Sequence, residues 1–356
     1  MTSLPSTGAA LETPPHLTGL TPETIAARLD VPAYRGKQIF QWLHQRGVFD
    51  FEQMTDLPKE LRARLAESVR PGALTPSHFA ASAQSKGTKK ALFTLEDGET
   101  VETVLIRDRE RMTVCVSSQV GCAVKCAFCA TGMSGYKRNL SAGEIAEQVP
   151  RILADEDLGD RNPNIVYMGM GEPFRNYEAV TESIRLLMRK EGQNIGARRI
   201  TVSTVGEADG IRAFAEEPWQ VRLSVSLHAA NDALRSELVP LNRKYPLKEL
   251  RKSILDYNER SGRRITFEWT LMEGVNDSPH HADELAEFAQ GVNAGVNLIP
   301  YNPVASLAFT PSPRAVCEAF QQRLENHGIR ATLRRERGQD IDAACGQLRR
   351  RHTADT

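Results

Sequence analysis

Beyond about residue 108 the chain repeats one pattern: a short apolar run, a polar break, then apolar positions at helical spacing. Six runs, 113–118, 164–170, 199–203, 222–227, 264–271 and 296–300, read as strands. Between them Tyr177, Val180, Ile184 and Leu187 step by three, four and three, and Leu247, Leu250, Ile254 and Tyr257 do the same. Strands alternating with helices predict an α/β fold with a parallel sheet, either open or curled into a partial barrel.

The first part of the chain reads differently. Residues 1–20 are rich in Pro, Thr and Ser and form a loose N-terminal tail. Thr21-Pro22 is a helix start, and 21–72 is a small helical accessory domain with Tyr34, Ile39, Trp42 and Leu43 as its apolar contacts. Arg35, Lys37 and Arg46 read as its solvated basic face, with RNA contact as the alternative. Two short strands around the Asp97-Gly98 turn make 73–107 a β-hairpin linker. The βα core then spans 108–346, and 347–356 is a basic C-terminal tail.

Charge narrows the functional classes. Forty-five basic residues balance 45 acidic ones, so a nucleic-acid surface has to be a local patch. Candidates are Arg330, Arg334, Arg335, Arg337 and Arg349 to Arg351, with Lys137 and Arg138. No run of 18 apolar residues and no export signal is present, so neither a membrane span nor secretion is expected, and the location reads as cytoplasmic. Six cysteines in such a chain point to thiolate ligands rather than a disulfide framework.

Four of those six fall within 115–138, and Cys122, Cys126 and Cys129 form C-x3-C-x2-C. Thiolates at this spacing suit a soft metal or an iron–sulfur cluster. A structural zinc site closes with four ligands, and only a distant residue such as His228 would complete one. Three cysteines on a [4Fe–4S] cluster would leave one iron open to a substrate. Phe128, just before the last cysteine, would exclude water from such a site.

Polar punctuation follows the strands, where the sites of βα folds gather. It comprises Gly169-Met170-Gly171-Glu172-Pro173, Ser203-Thr204, Ser226-Leu227-His228 and Tyr301-Asn302-Pro303. The GMGEP turn lacks the third glycine of a dinucleotide fingerprint. Far downstream, Cys345 sits beside Gly346 among arginines, a setting that favours an exposed, reactive thiol. Cys317 reads as a buried small hydrophobe.

The C-x3-C-x2-C loop with its aromatic, together with GMGEP, resembles the radical S-adenosylmethionine (SAM) superfamily. With CVSSQVGCAVKCAFCATG, the RNL at 138–140, Ser226 to His228, IPYNP and Cys345, it is similar to the bacterial dual-specificity RNA adenine-C2 methyltransferase family of the RlmN type. The resemblance runs over roughly residues 20 to 350, including AYRGKQIFQWL of the helical segment. It implies a partial (β/α)6 TIM-like barrel of the radical SAM type with a small N-terminal helical domain.

It also implies roles. Cys122, Cys126 and Cys129 would ligate the cluster, and Gly171, Glu172, Ser203, Ser226, Leu227, His228 and Asn302 would line the SAM site. Cys345 would carry a methyl group from one SAM, Glu102 would be the general base, and Cys115 would release the product by forming a disulfide with Cys345. The implied RNA partners are 23S ribosomal RNA (rRNA), at the peptidyl-transferase centre, and transfer RNA (tRNA), at the adenine 3′ of the anticodon. A flavodoxin-like electron donor and a monomer complete the expectation. Two alternatives stay open: the related adenine-C8 methyltransferase, against which the SSQVGC wording speaks, and a non-catalytic metal-containing RNA-binding module.

Overall fold

Along each strand of the βα region, one side is apolar and the other polar. In Ile265–Leu271, Ile265, Phe267, Trp269 and Leu271 are completely buried in the hydrophobic core. The alternate residues Thr266, Glu268 and Thr270 face cavities inside the sheet. Period-two alternation therefore gives the sheet an apolar back for the helices and a polar front.

The computed structural model describes residues 16–157, 162–334 and 337–349. Its strands are β1 (Thr75–Ala81), β2 (Lys89–Thr94), β3 (Thr100–Asp108), β4 (Arg111–Cys115), β5 (Gln119–Gly121), β6 (Tyr136–Asn139), β7 (Asn164–Tyr167), β8 (Ile200–Thr204), β9 (Arg222–Ser226), β10 (Ile265–Leu271), β11 (Ala294–Pro300) and β12 (Ala331–Leu333). Ten of them form one sheet in the order β1-β2-β3-β4-β7-β8-β9-β10-β11-β12, and β5 pairs with β6 separately. Pairing is antiparallel from β1 to β4 and parallel from β4 to β12. Residues from all seven parallel strands line a single cavity of about 580 Å³, so the sheet curls around a lumen. Its two edge strands, β1 and β12, do not pair with each other, and the barrel stays partial.

All six expected strands are present, shifted by a few residues at their ends. The first ends at Cys115, three residues before its expected end, and β3 pairs antiparallel with it on one side. The Asp97-Gly98 turn joins β2 and β3 as expected, with Gly98 at φ 79°. Four elements escaped the apolar pattern: β1 and β6, which are mostly exposed, and the three-residue strands β5 and β12.

Helices α1 (Pro22–Leu29), α2 (Ala33–Phe40) and α3 (Lys59–Ser68) make the N-terminal part; α4 (Ala142–Leu153), α5 (Tyr177–Met188), α6 (Ala208–Ala215), α7 (Asp232–Leu238), α8 (Leu247–Ser261), α9 (Pro279–Ala289) and α10 (Arg314–Asn326) follow. Thr21 caps α1 as expected, accepting from the Thr24 N–H at 3.3 Å. Val180, Ile184 and Leu187 of α5 and Leu250, Ile254 and Tyr257 of α8 are completely buried, worth roughly 1.5–3 kcal/mol per large apolar side chain. Cys317 on α10 is buried as expected. Tyr34 is not an interior contact: it is 58% exposed, with the Arg35 guanidinium 4.8 Å from its ring centroid.

One buried carboxylate ties the N-terminal part to the core. Glu147 of α4 accepts from Thr18 Oγ1 at 2.9 Å, from the Ala73 and Leu74 N–H groups at 2.7 and 3.1 Å, and from Arg151 Nε at 2.7 Å. It thereby grips both ends of the helical segment. Glu147→Ala would strand these donors, so it should cost roughly 2–4 kcal/mol in denaturant unfolding.

His44 is completely buried and stacked on Phe40, with ring centroids 4.2 Å apart. Burial pushes its pKa down to about 4. The unfolded chain takes up this proton near pH 6.5 while the folded one resists it until about 4, so stability should fall as pH drops across that window. The loss should reach on the order of 3 kcal/mol, and His44→Phe should lack that share of it in pH-dependent melts.

Candidate active site

The cysteine loop is pinched at its base. β5 and β6 pair across it, and Cys122 N–H donates to the Gly135 carbonyl at 3.1 Å. Gly121 there has φ 75°, and a Cβ would drive into the Gly135 carbonyl oxygen, so glycine is required. Within the loop the Cys129 N–H donates to the Cys126 carbonyl at 3.2 Å, and a single helical turn, Ala130–Met133, follows.

Cys122, Cys126 and Cys129 line one cavity of about 140 Å³, shared with Gly171, Glu172, Ser203, Ser226 and His228. Burial pushes the Cys122 thiol up to about 12 and Cys126 well above the usual thiol range, and the neighbouring cysteines add to both shifts. Such thiols ionise only against a strong local cation. Among the described residues no three His, Cys, Asp or Glu side chains converge to hold a single ion; an iron–sulfur cluster instead takes each thiolate on its own iron. Buried Arg235 adds positive charge beside Cys126, its guanidinium fixed by the Leu227 and Val205 carbonyls and by Asn242.

The other expected residues divide. Gly171 has φ 108°, and a Cβ there would meet Gln119 Cβ and Ser118 Oγ at 2.7 Å, so the backbone can pass only as glycine. Glu172 is buried, its oxygens accepting from the Phe174 and Val205 N–H groups at 3.1 and 2.8 Å, and burial pushes its pKa up to about 7. Ser203 and Ser226 lie with hydroxyl oxygens 3.3 Å apart. His228 sits at φ 60°, accepts from the Thr270 N–H at Nδ1 (3.0 Å) and meets the Phe128 ring edge-on at 4.6 Å. Burial holds His228 down at about 3, so the imidazole is neutral. Leu227 is completely buried and lines neither cavity.

Cys345 is exposed and lines both the small cavity and the wide lumen. The loop carrying it is stitched to the cysteine loop: Ala130 N–H donates to the Gly346 carbonyl at 2.8 Å and Thr131 Oγ1 to that of Leu348 at 2.5 Å. Asn302 Nδ2 donates to the Cys345 carbonyl at 3.2 Å. Cys115, at the end of β4, lines the same lumen; burial pushes its thiol up to about 12, with Cys345 adding to the shift. Both cysteines carry free thiols.

Glu102 of β3 lies outside both cavities, beside the Cys345 loop. Its carboxylate pairs with Lys90 at 3.0 Å and accepts from the Arg349 N–H at 2.9 Å. The arginines expected to form a phosphate patch are dispersed. Arg334 is turned inward against Cys345 and Glu268. Arg337 pairs with Asp108, and Arg138 is committed to Glu144 and Asp97. Arg335, Arg350 and Arg351 lie outside the described residues. Arg111, Arg198, Arg199 and Arg222 instead line the lumen at the other end of the strands. Sequence reasoning missed these, and it missed Glu268, although polar Thr266, Glu268 and Thr270 alternate with apolar residues in β10.

Comparison with known proteins shows the family and the fold. The profile of the Radical SAM superfamily matches residues 116–289, and that of the ribosomal RNA large subunit methyltransferase N-terminal domain matches 17–70. A probable dual-specificity RNA methyltransferase RlmN of Geobacillus kaustophilus is 46% identical over 92% of this chain and 89% of its own length. The corresponding protein of Gemmatimonas aurantiaca is 47% identical over 92% and 89%. The crystal structure of a radical SAM methyltransferase from Sphaerobacter thermophilus superposes with a TM-score of 0.91 at 50% identity, over 94% of this chain and 99% of that one.

The three-cysteine reading is open to direct test. Anaerobically prepared protein should contain iron and sulfide, and Cys126→Ser should lose both along with the visible absorption. Zinc without iron in the wild-type protein would overturn it.

Proposed function

The chain belongs to the dual-specificity RNA methyltransferases of the RlmN type, within the radical SAM superfamily, and from that premise we propose that it methylates C2 of adenine in 23S rRNA and in tRNA through a methyl group carried on Cys345. Enzymes of this superfamily use a [4Fe–4S] cluster and SAM, which together supply a 5′-deoxyadenosyl radical. The observation that carries the reading is the position of Cys345, on the wall between the cavity of the three cysteines and the lumen that holds Cys115.

Each residue then has a task that its surroundings suit. Cys122, Cys126 and Cys129 hold the cluster, with Arg235 offsetting their charge. Gly171 lets the backbone approach SAM, and Glu172 accepts from its amino group. Ser203, Ser226, His228 and Asn302 fix the remainder, with Leu227 contributing backbone alone. Cys345 takes the methyl group of one SAM and yields one of its hydrogens while a second SAM is consumed. The exposed carbon then bonds to C2 of the adenine, a position too poor in electrons for ordinary methyl transfer. Glu102 takes the C2 proton, for which the 347–349 segment must release its carboxylate. One electron would leave the adduct with that proton and return to the cluster, and attack by the Cys115 thiolate on the Cys345 sulfur would then break the sulfur–carbon bond and form a disulfide, the released carbon taking up a proton to become the methyl group. The target adenine must leave its stack to reach these groups.

The arginine-lined lumen supports a polyanionic substrate in a chain of zero net charge. Among the described residues no helix is long and apolar enough to cross a membrane. A cytoplasmic monomer reduced by a flavodoxin-like donor completes the proposal.

Mass spectrometry of RNA digests from anaerobic turnover should reveal 2-methyladenosine. Formation of the 8-methyl isomer alone would assign the chain to the other branch of the family. Cys345→Ala should abolish methylation, whereas Cys115→Ala should accumulate a covalent protein–RNA adduct on denaturing gels. Methylation by Cys345→Ala would end the carrier role.

A further inference from the structure

Glu268 is a buried carboxylate with one oxygen committed and the other open. It lies at the middle of β10, only 4% exposed, and its side chain lines both the lumen and the small cavity. Oε1 accepts from Ser224 Oγ and from Asn297 Nδ2, each at 3.1 Å, across the two flanking strands. Oε2 is buried and meets no hydrogen-bond donor among the described residues. Leaving a buried acceptor unmatched costs roughly 1–3 kcal/mol, so the site favours a ligand that brings an N–H.

We propose that Glu268 Oε2 accepts from the exocyclic amino group of the target adenine and so sets the enzyme's preference for that base. The inference rests on the adenine-C2 reading above. In adenine, C2 and the amino-bearing C6 flank N1 on one edge of the ring, so a residue that reads the amino group must stand beside the sulfur that meets C2. Glu268 stands there. Arg334, Cys345 and Glu268 line both cavities together, and the Arg334 guanidinium is in electrostatic contact with each of the other two.

Glu268 stands where the two cavities meet. Ser203 and Ser226 line only the smaller one, while Ser224 and Asn297, the partners of Glu268 Oε1, line only the arginine-bearing lumen. Guanine would set its C6 carbonyl against the carboxylate, acceptor facing acceptor, and be rejected.

The test pairs a change in the base with a change in the protein. Cluster-loaded enzyme with SAM is given RNA carrying adenosine or purine riboside, which lacks the amino group, at the target position. The RNA is whichever of the two substrates the wild type methylates, and both Kd and kcat/KM are measured. For wild type, removing the amino group should weaken binding or turnover roughly 10- to 100-fold.

In Glu268→Gln the amide oxygen should stay with the donors Ser224 and Asn297, turning its NH2 toward the base. Donor then faces donor, and the preference for adenosine should collapse to about one or below. Glu268→Ala should bring the ratio to about one, and the near-isosteric Gln variant carries the comparison should Ala fail to fold. A merely structural role would weaken both RNAs equally and preserve the wild-type ratio. That result, or a wild type indifferent to the amino group, overturns the proposal. Failure of the C2 reading itself is seen separately, as wild-type product that is not 2-methyladenosine.

Discussion

A sheet that curls around a polar lumen must satisfy every polar group it turns inward, because an unmatched donor or acceptor in a closed interior costs as much as a hydrogen bond contributes. Most of the geometry follows from how this chain meets that condition. The backs of the parallel strands are apolar and are covered by helices. The fronts carry Cys115, Ser224, Glu268 and Asn297, which pair across neighbouring strands or face the lumen. Where internal pairing is complete, as in the contacts of Asn276 with the His228 and Thr270 carbonyls, no polar group is left over for a ligand. Where it is incomplete, at Glu268 Oε2, a ligand has something to bind.

The second constraint is topological. Cys345 is separated from the cysteine loop by some two hundred residues, yet the barrel brings both to the same end. Single hydrogen bonds make the closing contacts, among them two from the turn after Cys129, one from Asn302, one from Gln347 to the Pro303 carbonyl, one from Lys90 to the Asp342 carbonyl and one to Glu102. Each is worth roughly 1 kcal/mol net. That is enough to position the loop without fusing it to the barrel, which suits the carrier role proposed for the Cys345 sulfur.

Much of this was legible in the chain. Strand positions followed from apolar runs, and the cysteine loop and GMGEP turn from motifs that only a few chemistries use. Short or exposed elements were not legible, because β12 has three residues and β1 shows water most of its side chains. The arginines misled for a different reason: proximity in sequence suggested one patch, but Arg334 points inward while Arg337 points to Asp108. Charge density along a chain does not tell which side of a strand a residue will occupy. Period-two alternation does, and in Thr266, Glu268 and Thr270 it was present all along.

Glu102 shows how the two constraints meet. A glutamate at 1% exposure in β3 needs compensation, and Lys90 supplies it while also donating to the Asp342 carbonyl near the start of the Cys345 loop. The second oxygen of Glu102 holds the Arg349 amide at the far end of that loop. The same carboxylate therefore anchors the segment that carries Cys345 and, in the reaction proposed above, would be the base for the C2 proton. These tasks exclude each other at any one moment, since an oxygen occupied by a backbone amide is a poor proton acceptor. Breaking the Arg349 contact would free the carboxylate and loosen the Cys345 loop together. In the reaction proposed above, proton removal and the approach of Cys345 to Cys115 would then both depend on that one hydrogen bond.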